Sequence, residues 1–226
     1  VAIKLPSPSI PRYSSLPTIS GTATDPGIGQ MEEIKLRIKL LSGINQYWHP
    51  GINYDLTAYD ITESDKETAW FVAKPTAPGG GWSIWYATHS WLTGRQFQIE
   101  AKGKDTLGNY ATVYSTVTFS FDTDFPESGI SSPLTGSIVS TIGSGIQGTA
   151  RDMGVNPGLA SPVRIAIKRL SDGNWWYHLE TSFTATSFTS YEFVPPAEDW
   201  TYSTITDDKL NSGTSYYITT QTQDNA

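Results

Sequence analysis

The chain has 226 residues, 38% hydrophobic and 16% charged, with a formal net charge of −7 and no cysteine. The hydrophobic share supports packed cores, while the acidic balance excludes nucleic acid and anionic membrane surfaces, because phosphate binding needs clustered Lys and Arg. The absence of cysteine excludes disulfide frameworks and thiolate metal sites, and the sequence has no apolar run of about 18 residues that could span a bilayer.

Thr, Ser and Gly dominate the polar residues, beside eight Trp and twelve Tyr. These types favour strands and the turns between them, and no stretch has helical periodicity. The expected class is all-β. Val1–Leu5 alternates like Val117–Phe121 and is followed by prolines, so residues 1–7 read as the end of a preceding last strand plus linker, or as a donor strand. Strands are then expected near 16–23, 33–41, 45–49, 68–73, 82–88, 95–104 and 111–121. In the run Ile34-Lys35-Leu36-Arg37-Ile38-Lys39, alternation sends the aliphatic residues inward and leaves Lys35, Arg37 and Lys39 in water. Residues 122–130 read as a short linker, stiffened by Pro126.

Residues 131–226 repeat the pattern of 8–121. Ile19-Ser20-Gly21-Thr22-Ala23-Thr24-Asp25 matches Ile146-Gln147-Gly148-Thr149-Ala150-Arg151-Asp152, and Ile34–Lys39 matches Val163–Lys168. The aromatic pairs Tyr47-Trp48 and Trp175-Trp176 follow. Further on, Trp82 is set against Trp200, Leu92 against Leu210, Gly94 against Gly213, and Phe97-Gln98-Ile99 against Tyr216-Tyr217-Ile218; the copies then reach Asp105 and Asp224. The first copy carries a mid-domain insertion between its aromatic pair and Trp82. The second copy stops before a counterpart of the strand expected at 111–121. The reading is two tandem β-sandwiches, the second without its last strand, either cut from a longer array or completed by Val1–Leu5 of a neighbouring molecule.

Gly-Thr-Ala-x-Asp, an alternating strand, an aromatic pair, a Trp, then Gly-x-x-aromatic-x-Ile ending in Asp, with a Gly108-Asn109 turn, resembles the bacterial immunoglobulin-like (Big-type) tandem repeats of large extracellular and surface proteins. The resemblance covers nearly the whole chain. It implies an extracellular or cell-surface location and a structural or adhesive module without catalysis. Its partners are then neighbouring repeats, or copies of the same protein head to tail. The insertion leaves an alternative, a carbohydrate- or protein-binding module that meets a surface glycan or protein.

The catalytic reading finds no foothold. His49, His89 and His178 are scattered, no Gly-x-Ser-x-Gly elbow occurs, and the carboxylate pairs Glu32-Glu33 and Asp207-Asp208 read as surface charge. Pro75–Gly81 reads as a turn and not a phosphate cradle. Asp105, Asp122, Asp124 and Glu127 gather around the linker in sequence and are candidate calcium ligands, hard oxygens suited to that ion. Trp70, Trp85 and Trp91, which have no partner in the second copy's pattern, are candidate ligand-stacking rings.

Overall fold

The computed structural model describes residues 1–25, 30–51, 58–76, 81–152, 162–193 and 198–223. These fall into two compact units, one up to Thr123 and one from Asp124 onward. Asp224 and the tip of the Pro75–Gly81 loop lie outside the described residues. Among the described residues, no helix is long and apolar enough to cross a membrane.

Unit 1 contains β1 (Ala2–Leu5), β2 (Arg12–Tyr13), β3 (Thr18–Thr22), β4 (Met31–Leu40), β5 (Gln46–Trp48), β6 (Tyr59–Ile61), β7 (Phe71–Val72), β8 (Lys74–Pro75), β9 (Ile84–Thr88), β10 (Arg95–Asp105) and β11 (Ser115–Phe121). One sheet runs β1-β3-β9-β8; the other runs β2-β11-β10-β4-β5-β6, with β7 also on β4. The two inner faces close on one core. Alternation explains which side chains meet there: Ile34, Leu36 and Ile38 from β4, Phe97 and Ile99 from β10, and Ile19 and Trp85 from the opposite sheet.

Unit 2 contains β12 (Glu127–Ser132), β13 (Ile146–Arg151), β14 (Val163–Arg169), β15 (Trp175–Tyr177), β16 (Ser182–Ala185), β17 (Tyr191–Phe193), β18 (Asp199–Tyr202) and β19 (Tyr216–Thr222). Its sheets run β12-β13-β18 and β16-β15-β14-β17, with β19 on β14. Ile146, Val163, Ile165, Ile167, Trp176 and Trp200 form its core.

Pairing registers match the units more finely than residue types do. Ile3 faces Gly21 and Leu5 faces Ser20 across a bulge; Ile130 faces Gly148 and Ser132 faces Gln147 across the same bulge. The following Pro6 and Pro133 are both preceded by cis peptide bonds. Ile38 faces Ile99 where Ile167 faces Ile218. Gly94 and Gly213, with φ of 64° and 73°, make the same left-handed turn before β10 and β19.

Four expectations change. Residues 2–5 are the first strand of their own unit: β1 pairs with β3, Ile3 is in the core and the Ile3 backbone N–H donates to Ser115 Oγ at 3.0 Å, so they are not the end of a preceding last strand. β12 likewise starts at Glu127, which shortens the linker to Asp122–Pro126. The strand expected near 68–73 reduces to Phe71–Val72, because Glu63–Ala69 wind into a 3-10 helix that ends at Trp70. The repeated tryptophan is also different. Gly21 faces Trp85 and Gly148 faces Trp200, so Trp200 corresponds to Trp85 and not to Trp82.

Candidate functional site

The side chains that stand out lie on the outer face of β4 and β10. Register sets Lys35 directly opposite Lys102 and Arg37 opposite Glu100, with Lys104 opposite Glu33. Like charges facing each other across a ladder repel, so a face on which Glu33 and Glu100 stand among five cations, Lys35, Arg37, Lys39, Lys102 and Lys104, takes further anions from elsewhere. The 3-10 helix Glu63–Ala69 supplies them. It carries Glu63 and Glu67 over the face and sets Trp70 down beside them.

Arg37, expected in water, is only 4% exposed. Its Nε donates to Glu100 and its Nη1 donates to Glu67 Oε1 at 3.0 Å. The guanidinium lies 4.5 Å from the Trp70 ring centre, with Tyr47 and Tyr114 at 5.3 and 5.5 Å. Lys102 Nζ is 4.0 Å from the same indole and 3.5 Å from Glu67 Oε2. A planar, weakly hydrated guanidinium suits burial between rings and carboxylates. The Trp70 indole N–H donates to Glu67 Oε2 at 3.0 Å, which fixes the ring.

A second cluster adjoins it. Lys39 donates to Glu63 Oε2 at 2.9 Å, as does the Tyr47 hydroxyl, while Lys66 donates to Glu63 Oε1 at 2.8 Å. These donors, Lys66 first, hold the Glu63 carboxyl down at about 2, far below the usual carboxylate range. Unit 2 keeps part of this design: Lys168 sits 5.4 Å over Trp175 as Lys39 sits over Tyr47. Where unit 1 has Arg37, unit 2 has the buried Ala166. The face therefore fastens the inserted segment of unit 1 to its sheet. Sequence reasoning missed this network; the signal was five cations outnumbering Glu33 and Glu100 on one face of two neighbouring strands.

The three candidate stacking tryptophans do not form a platform. Trp85 is fully buried and Trp91 is in the same core, donating its indole N–H to the Leu16 carbonyl at 2.7 Å. Sugar stacking needs an exposed ring, so neither serves. Trp70 is half-buried, its ring met by two cations and by Tyr114 edge-on at 5.3 Å.

Asp105 and Asp122, two of the four candidate calcium ligands, are not brought together. Asp105 ends β10 at the edge opposite Arg95, whereas Asp122 follows Phe121, which pairs with Arg95; an eleven-residue strand, roughly 30 Å long, separates them. Asp105 instead closes its own turn, accepting from the Leu107 and Asn109 backbone N–H groups at 2.9 and 2.8 Å and from Asn109 Nδ2 at 2.9 Å. The Asn109 side-chain and backbone donors lower its carboxyl below the ordinary value. Asp122 is buried and accepts from Thr93 Oγ1 at 3.0 Å. Among the described residues, no three acidic or histidine side chains cluster in a way that would hold a metal ion.

The histidines have separate structural settings. His49 Nδ1 is 3.0 Å from Asp60. His89 lies against Trp48 and Trp91, with Nε2 2.8 Å from the Tyr59 hydroxyl, and burial pushes it down to about 4. His178 stacks on Tyr191 at 3.5 Å and bonds the Tyr202 hydroxyl at 3.1 Å.

No family model and no curated protein matches the sequence. Among solved structures, the chain is similar to a tetra-tandem repeat in the extending region of a large adhesion protein, at 15% identity and a TM-score of 0.29 over 93% of this chain. It is also similar to a Ca2+-stabilized adhesin with which an Antarctic bacterium reaches out and binds ice, at 10% identity and a TM-score of 0.28 over 99% of this chain. The match spans about half of each of those chains, 46% and 47%.

Proposed function

We propose that this chain is a pair of structural, adhesive immunoglobulin-like modules from an elongated bacterial cell-surface or secreted fibre protein, with no catalytic role. The observation that carries the reading is duplication of one sandwich plan, down to strand register, in two units joined by the short segment Asp122–Pro126. Repetition of a fold without repetition of a polar cluster is what a spacer needs: each copy adds length and stability, and side chains are spent on packing. The strongest polar cluster, around Arg37, is likewise spent on holding an insertion in place.

The alternative, a glycan- or protein-binding module, keeps one ring surface. With Trp85 and Trp91 in the core, it rests on Trp70 with the exposed Tyr110, near the ammonium groups of Lys35, Lys102 and Lys104. Loss of a glycan-array or pull-down signal on Tyr110→Ala would favour it.

The structural reading is tested by probing intact cells of the source organism with antibodies raised against the full chain, before and after mild external proteolysis. Surface labelling that proteolysis removes supports it. An antigen found only after lysis overturns it.

A further inference from the structure

The two units finish the outer face of one sheet differently. In unit 1, Lys39 and the Tyr47 hydroxyl both donate to Glu63 Oε2 at 2.9 Å, with Lys39 Nζ 4.9 Å from the Tyr47 ring centre. A cation and the polar tip of a ring thus share one carboxylate, which the 3-10 helix Glu63–Ala69 brings to the face. Register carries this pair onto Lys168 and Trp175. Ile38 faces Ile99 where Ile167 faces Ile218, and Lys39 faces Tyr47 where Lys168 faces Trp175. Lys168 Nζ lies 5.4 Å from the Trp175 ring centre, so the cation-on-ring part of the arrangement is kept.

The carboxylate is not kept. Unit 2 passes from β16 to β17 through residues 186–190, without a 3-10 helix. Of its five cations, Arg151, Arg164, Arg169 and Lys209 each meet a carboxylate within 3.3 Å, on Glu198, Glu192, Asp172 and Asp208. Among the described residues, Lys168 meets none, and neither the Trp175 indole N–H nor the Tyr217 hydroxyl is hydrogen-bonded within the chain. Lys168 also faces Tyr217, so Trp175, Lys168 and Tyr217 make one row across β15, β14 and β19. The rings stand at steep angles: Trp175 is 6.5 Å from Tyr217 at 86° and 4.8 Å from Phe188 at 70°. Tyr217 is 50% exposed and Phe188 64%. Beside the row, Ala166 and Thr219 stand where unit 1 has Arg37 and Glu100, short side chains in place of long charged ones.

We propose that this row binds an acidic polysaccharide, a hexuronate residue setting its carboxylate against Lys168, in the place Glu63 takes in unit 1, and the C–H face of its ring against Tyr217. An ammonium, an indole N–H and a phenolic O–H without partners are the donors that an oxygen-rich anion satisfies. Exposed rings beside them add an apolar contact that a bare anion cannot use, and rings set at right angles make a corner that fits a compact pyranose better than an extended peptide. The site is separate from the Trp70 and Tyr110 surface of unit 1. It rests on the adhesive reading above and gives that reading a partner, but sugar binding by the purified chain and surface labelling of cells are independent readouts, and either can fail alone.

The test titrates the full chain at low salt with oligomers of galacturonate, glucuronate and mannuronate, each beside the neutral hexose oligomer of the same linkage, and with a glutamate peptide of equal charge. Binding is read by calorimetry and tryptophan fluorescence. Lys168→Gln, Tyr217→Ala and Tyr110→Ala are titrated in parallel. Lys168→Gln removes the charge and keeps most of the side chain's length, so it decides the matter if Tyr217→Ala fails to fold. The expected result is that at least one uronate oligomer binds with a Kd below about 10 mM, and that its neutral counterpart and the glutamate peptide bind about fivefold or more weakly. Lys168→Gln and Tyr217→Ala should each weaken the uronate by about fivefold or more, and Tyr110→Ala should leave it unchanged. The proposal is overturned if no uronate binds up to about 10 mM, if the neutral sugar or the peptide binds equally, if Lys168→Gln binds like the unaltered chain, or if Tyr110→Ala removes binding.

Discussion

The indole of Trp85 crosses Gly21 so closely that a Cβ built on that glycine would run into the ring and into the Ala2 carbonyl; Trp200 crosses Gly148 in the same way, against the Gly129 carbonyl. The glycine of each Gly-Thr-Ala segment is thus required by the neighbouring strands and not by its own backbone angles. It lets β1 or β12 and the tryptophan approach from both sides.

Gly21→Ala and Gly148→Ala should each destabilise their own unit by about 1–3 kcal/mol, the usual cost of overpacking. Adding Trp85→Leu to Gly21→Ala should cost less than the two single changes summed, because the clash is removed with the ring. Denaturant unfolding of the four chains checks this; strict additivity would contradict the contact.

Trp85 and Trp91 should respond differently to Phe. The buried Trp85 indole N–H has no hydrogen-bond partner, so Trp85→Phe removes an unsatisfied donor along with some packing. Trp91→Phe leaves the Leu16 carbonyl without the bond at 2.7 Å. An orphaned buried group costs about 1–3 kcal/mol, and Trp91→Phe is expected to lose more stability than Trp85→Phe.

Arg37 and Glu67 are partners of unequal weight. Arg37→Ala uncovers Glu100 within a nearly closed site and should cost about 3 kcal/mol or more. Glu67 is 64% exposed, so Glu67→Ala should cost under about 1 kcal/mol. Equal losses in urea unfolding would show that the network is not anchored on Arg37.

Acidification should weaken unit 1 through His89. Its folded value is lowered to about 4 from an ordinary 6.5, so between those values the unfolded chain binds more protons than the folded one. Stability is intact above about pH 6.5 and falls as pH drops toward 4, by about 3 kcal/mol in total. His89→Gln should flatten that part of the pH profile. Glu63 acts lower: its contribution is present above the usual carboxylate range and is lost as pH falls toward about 2.

The Asp105 carboxylate closes the 105–109 turn. Asp105→Ala should loosen the 105–109 turn equally in calcium and in chelator, read as faster amide exchange at Leu107 and Asn109. A calcium-dependent difference would restore it as a ligand.

The alternating run Ile34–Lys39, the paired motifs around Gly21 and Gly148 and the all-β class were legible because period-two patterning and turn residues are local signals. What was not legible depended on distant partners. Arg37 has the pattern of an exposed residue and is buried only because a segment 26 positions later folds over it. Trp82 and Trp85 are three residues apart, an odd step that swaps the sheet face, and only pairing with Gly21 decides which enters the core. β1 has the alternation of a last strand, and its place was fixed by its bulged pairing with β3.

The central claim, that these are two modules of an elongated structural protein, is tested most directly by imaging the native material as purified, with intact-mass analysis of the denatured polypeptide. A beaded, extended particle built from a polypeptide well above the 24.8 kDa of this chain, or from such chains joined in line, is the predicted result. Compact, unassociated particles of 24.8 kDa would contradict it and move the binding role of Trp70 and Tyr110 to first place.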